Sequence, residues 1–134
     1  MKDMLYGMKE VCAQVGMTYE GLKYYCNQGL VPNLKRDKMG RRMFDERDIA
    51  WTRCLLWLRR CGMSVEDMKK YMALCLEGAP SIPKRQAMLE AQRQQVKEKI
   101  AELQASLAYI DQKQQFYEDV LSGRRPYESN LIDV

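Results

Sequence analysis

Two groups of side chains carry the chemistry available to this sequence. Lys23, Tyr24 and Tyr25 stand consecutively, and five cations, Lys35, Arg36, Lys38, Arg41 and Arg42, follow within one short stretch offset only by Asp37. Ammonium, guanidinium and phenol groups donate hydrogen bonds to anions, and phosphate oxygens are acceptors that suit such a set. Each cation that neutralises a phosphate releases counterions, so binding through this set weakens steeply with salt. A basic run is also what an ordinary solvated loop looks like, or a loop that grips an acidic protein.

Other chemistries are poorly supplied. The 134 residues include no histidine, which removes histidine triads, histidine metal sites and the usual neutral-pH proton shuttle. No carboxylate pair or glycine-rich phosphate loop stands out, so no enzyme activity, metal site or cofactor is expected. The five cysteines are odd in number and form no C-x-x-C, a pattern of reduced thiols in a cytoplasm. No apolar run nears the roughly 20 residues of a membrane helix, and "MKDMLYGMKE" has no signal-peptide core. A formal charge of +4, with 30% charged and 46% hydrophobic residues, suits one domain with an extension.

The elements that hold the two groups are punctuated by glycine and proline. "GMKEVCAQVG" carries Met8, Val11, Cys12 and Val15 at helix spacing and stops at Gly16; Thr18 then caps a second helix through about Gln28, closed by Gly29. Two short helices joined by a glycine turn form a helix-turn-helix pattern. On the second helix Leu22, Tyr25 and Cys26 share the inner face, while Glu20, Lys23, Tyr24 and Asn27 point outward. Pro32 and Gly40 exclude helix from the basic loop, and "RRMF" reads as one arm of a hairpin. Asp45 caps a third helix with Ile49, Leu55, Leu56 and Leu58 on its apolar side, ended by Gly62; Ser64 opens a fourth that ends at Gly78.

The longest element is expected from about Pro83 to Ser122. Alternating steps of four and three pass through Leu89, Val96, Ile100, Leu103, Leu107, Ile110 and Tyr117, interrupted by Gln86, Arg93 and Gln114. That is a coiled-coil seam. Such a helix spans roughly 60 Å, and the chain offers no second helix of that length, so a homodimer is expected.

"YGMKEVCAQVGMTYEGLKYYCNQGLVPNLKRDKMGRRMF" resembles the N-terminal winged helix-turn-helix of the MerR family of bacterial transcription regulators, and the likeness continues through "FDERDIAWTRCLLWLRRCGMSVEDMKKYM" into the dimerisation helix. The paired tyrosines, "GLV" and the "CGMS" turn make it specific. The resemblance implies a mainly α fold: a winged helix-turn-helix DNA-binding domain with a small β wing over residues 1–77, a linker and antiparallel coiled-coil dimerisation helix over 78–122, and a short tail, 123–134. It implies DNA contact by Thr18, Tyr19, Lys23, Tyr24, Tyr25, Arg36 and Arg42, to which the basic loop, read as a phosphate-gripping wing, adds Lys35, Lys38 and Arg41, on palindromic double-stranded promoter DNA with RNA polymerase at the same promoter. Lys23 stands for the family's usual arginine and loses its fork of donors; Cys26 replaces a glutamate, and Arg41 an aromatic or apolar wing residue.

The chain ends at "SGRRPYESNLIDV", so no large ligand-binding domain is expected, and no cysteine follows Cys75 to build a metal or iron–sulfur site. The sequence is most similar to the short NmlR/AdhR-like branch that responds to aldehyde or nitrosative stress. That branch uses one cysteine in the third helix, at the position held here by Trp57. Cys54 and Cys61 flank it, about 10 Å apart along the helix and too far for a disulfide. Cys54, beside Arg53, is the candidate sensor thiol; a small packed core residue is the plainer assignment. Against the DNA regulator stands a coiled-coil interaction module whose basic loop binds an acidic protein partner.

Overall fold

The computed structural model describes residues 4–134, which run β1 (Tyr6–Gly7), α1 (Met8–Val15), α2 (Tyr19–Asn27), β2 (Lys35–Arg36), β3 (Arg42–Phe44), α3 (Glu46–Arg60), α4 (Val65–Glu77), a 3-10 turn (Ala79–Ser81) and α5 (Ile82–Leu121). No helix among the described residues is long and apolar enough to cross a membrane. The chain divides into two compact units, one up to Gln95 and one from Val96 to Val134.

In the first unit, the head, local signals set the helix ends. Gly16 takes φ 78°, the left-handed conformation that stops α1 and turns the chain toward α2. Thr18 Oγ1 accepts from Gly21 N at 3.0 Å and so caps α2. A Cβ at Gly21 would lie 3.0 Å from that same hydroxyl and press on the cap. The three strands form an antiparallel sheet in the order β1-β3-β2, with Tyr6 opposite Phe44 and Lys35 opposite Met43. Val11, Leu22, Leu30, Phe44, Ile49 and Leu55 are wholly buried in one core, joined by Tyr25, Leu58 and Met68. Leu56, expected with them, is only partly buried. Trp51 stacks on Tyr71 at 6.5 Å and donates Nε1–H to Leu30 O at 2.6 Å.

The head extends past residue 77. Ser81 is buried and donates to Leu74 O and Gly78 O, while Arg85 donates to Ser81 Oγ at 3.0 Å and to Gly78 O at 2.8 Å. These bonds satisfy carbonyls freed at the end of α4 and place the first turns of α5 in the head.

The second unit holds the rest of α5 and residues 122–134. Gly123 (φ 80°) turns the chain, Arg124 N returns to Asp119 O at 2.8 Å, and Arg124 Nε pairs with Asp119 Oδ1 at 3.1 Å. Along α5 the expected seam stands in solvent: Leu103 is 65%, Leu107 60% and Ile110 51% exposed, and Leu89, Ile100 and Tyr117 are exposed as well. Val96 is partly covered.

Candidate nucleic-acid interface

The wing is built by Asp37 and Gly40. Asp37 Oδ1 accepts from Met39 N and Arg41 N, each at 2.9 Å, and its Oδ2 pairs with Arg41 Nε at 2.8 Å; these bonds hold its carboxyl below the usual range. Gly40 takes φ 78°, as the turn requires. Arg36 donates to Gly40 O at 2.8 Å, and Arg42 reaches across to Asn27 Oδ1 at the end of α2. Wing and α2 are therefore tied by a side-chain strut.

A concave surface of about 570 Å³ lies among the start of α1, Tyr19 at the start of α2, and Arg36, Arg41 and Arg42 of the wing. Lys38 is exposed at the tip, and Lys23 is exposed on α2; neither pairs with a carboxylate among the described residues. A second concavity of about 480 Å³ brings together Thr18, Tyr24 and Arg59 of α3. Tyr24 is 48% exposed, its ring 6.0 Å from that of Tyr25.

Two residues named from the sequence sit elsewhere. Tyr25 is buried, and burial pushes its phenol up, partly offset by Arg59. Lys35 does not face outward with the other cations. Its Nζ pairs with Asp45 Oδ2 at 2.6 Å and Asp48 Oδ2 at 2.7 Å. Those carboxylates also form the capping box that starts α3: Asp48 N donates to Asp45 Oδ1 at 2.8 Å and Asp45 N to Asp48 Oδ2 at 3.0 Å. The Lys35 hydrogen bond and the Asp48 amide hold the Asp45 carboxyl down at about 2. Burial works against the Lys35 ammonium, but the two carboxylates outweigh it and raise its pKa.

Arg59 was missed because a cation in the last turn of a helix is sufficiently explained by the helix dipole. Its Nη1 would lie 3.7 Å from a Cβ at Gly21, a proximity that only the folded chain creates. Cys54 shows the reverse: burial pushes its thiol up, with Cys75 adding to the rise. Activation by Arg53 is thus not what the structure shows, and Cys54 packs against the core. All five thiols are free.

A helix-turn-helix braced by a basic three-stranded wing defines a DNA-binding head. Residues 6–75 match the family described as MerR HTH family regulatory protein, and residues 54–113 match MerR, DNA binding. The chain belongs to the MerR family and is a DNA-binding transcriptional regulator of that type, in its NmlR/AdhR-like branch. It is 33% identical over 115 residues to an uncharacterized HTH-type transcriptional regulator of Haemophilus influenzae, covering 86% of this chain and 85% of that one. To the HTH-type transcriptional regulator AdhR of Bacillus subtilis it is 36% identical over 87 residues, 65% of this chain and 62% of the relative. Among solved structures, HiNmlR, a MerR family regulator lacking the sensor domain and bound to promoter DNA, superposes with a TM-score of 0.79 at 32% identity, covering 89% of this chain and 90% of that one. A MerR family regulator from Bacillus thuringiensis gives 0.75 at 29% identity, covering 85% of this chain and all of that one.

Proposed function

We propose that two copies zip along α5 and present two heads to a palindromic promoter operator in the bacterial cytoplasm, bending and untwisting the duplex so that RNA polymerase meets its promoter elements in a changed geometry. The observation that carries this is the uncovered apolar seam from Leu89 to Tyr117, since a stripe of that length in water has no advantage without a partner helix. Antiparallel pairing centred on Leu103 sets Leu89 against Tyr117, Val96 against Ile110 and Arg93 near Gln114. Parallel pairing would set Arg93 against its own copy, at a cost in like-charge repulsion. The DNA-bound state of HiNmlR supports promoter DNA as the ligand.

In this reading Tyr19, Arg36, Lys38, Arg41 and Arg42 grip one stretch of backbone, and Thr18, Lys23, Tyr24 and Arg59 the next. Lys35 and Tyr25 position them. Arg41 keeps its terminal nitrogens for phosphate while Asp37 holds Nε. Protein–phosphate contacts then offset the cost of deforming the duplex. A stress or small-molecule signal shifts the balance between dimer conformations.

The test is selection of bound fragments from genomic DNA followed by affinity against salt. A palindrome preferred over random duplex, with a log–log salt slope of about −5 or steeper, is expected. Equal affinity for heparin and any duplex, unchanged by Lys23→Ala with Tyr24→Ala, would instead favour an acidic protein partner.

A further inference from the structure

The C-terminal unit carries a second stripe besides the seam. Tyr109, Gln112, Lys113 and Phe116 follow at i, i+3, i+4 and i+7, which places them on one face. Beyond the turn at Gly123 the tail doubles back over that face: Arg125 lies 4.7 Å above the Phe116 ring, and Ser129 Oγ accepts from Leu131 N and Ile132 N at 3.0 and 3.1 Å. Between helix and tail a groove of about 490 Å³ has Tyr109, Phe116, Tyr117 and Tyr127 among its walls, while polar groups, Gln112 and Asn130 included, make up the larger part of its lining. That volume lies in the range of small-molecule sites, and the polar groups among the rings are of the kind that fix a ligand's orientation.

The charges define the ligand. Lys113 lies 6.0 Å over the Tyr109 ring and pairs with no carboxylate among the described residues. Arg125 meets Glu128 only at 4.0 Å. Glu128 stands at the limit of contact with Arg125, and Asp119, which also acts on Arg125, is already paired with Arg124, so the two cations seated on aromatic rings leave about one positive charge to be answered. We infer that this groove binds a small carboxylate with an apolar body, an aryl or short acyl acid, whose charge lies between Lys113 and Arg125 and whose body lies on the tyrosines.

Tyr117 is both a wall of the groove and a seam residue. On the homodimer reading above, the ligand therefore touches the zipper, and its occupancy biases how the two copies pack. The groove itself is made by one chain.

The experiment is a titration of the isotope-labelled full chain, followed by amide NMR, with phenylacetate, octanoate, benzylamine and inorganic phosphate. Saturable shifts confined to residues 109–117 and 123–131 are expected with phenylacetate or octanoate, and the stronger of the two tells aryl from acyl. Lys113→Gln with Arg125→Gln should weaken them by about fivefold, the upper range for an exposed ion pair, with helix content unchanged by circular dichroism. No saturable shift with either acid, equal shifts with benzylamine, shifts with phosphate alone, or acid binding untouched by the double variant overturns the inference. Sedimentation of the same samples reads the dimer separately: a single chain that still binds the acid defeats the homodimer reading and leaves the site standing.

Discussion

The head and the C-terminal unit use the same kinds of side chain to opposite ends. In the head, Val11, Leu22, Leu30, Phe44, Ile49 and Leu55 have no exposure left, while Leu103, Leu107 and Ile110 of α5 keep half or more of theirs. Gly16, Thr18, Asp45 and Ser64 begin or end helices whose apolar faces are covered within about 90 residues of chain. The seam of α5 recurs as regularly and finds no such cover. Periodicity alone therefore tells which side is apolar; exposure in the folded chain tells whether the cover comes from the same molecule or another.

The sharpest break of that contrast is Leu103→Asp with Leu107→Asp. It should leave the head folded, yield single chains in sedimentation, and lower operator affinity by roughly 10²- to 10⁴-fold, the advantage lost with bivalency. Leu22→Ala works on the other side: it should cost the head about 3 kcal/mol in denaturant unfolding, from lost burial and the cavity left behind, without separating the copies.

Acid gives the next effect. The folded Asp45 carboxyl titrates at about 2, below its ordinary 3.8, so its contribution is complete above pH 4 and is lost as pH falls toward 2. That difference corresponds to about 2 kcal/mol, read as a fall in head stability over that window in urea melts. Lys35 has the opposite sign: its raised pKa keeps its share while Asp45 and Asp48 stay ionised, through neutral pH, and loses it as pH rises beyond the usual lysine range.

The smallest difference separates gripping from positioning. Arg42→Gln should lower DNA affinity by about tenfold and reduce the salt slope by about 1 for each head. Lys35→Met should weaken binding with the slope unchanged, because that ammonium is held by Asp45 and Asp48. A slope that fell with Lys35→Met as well would place Lys35 on the phosphate backbone.

The helix-turn-helix was legible because its signals are local: a glycine stop, a threonine cap and an inner face of Leu22, Tyr25 and Cys26, all within a few residues. The basic loop was legible as charge but not as geometry. What captures Lys35 lies ten and thirteen residues away, and nothing in "LKRDKMGRR" marks one cation as different from the next. Arg59 and the returning tail were hidden for the same reason, their partners being set by packing across elements. The expected activation of Cys54 by Arg53 failed on another ground. Its neighbour in sequence is a cation, yet the surroundings that govern the thiol are the buried side chains of α3 and α4.

The double duty of Asp45 and Asp48 has a mechanical consequence. They open α3 and clasp Lys35 of β2 at once, while Arg42 braces β3 to Asn27. Moving the wing away from the head must therefore break the Lys35 pairs at the start of α3 and the Arg42 bond at the end of α2 together. A head braced at both strands in this way meets its ligand with the wing already set.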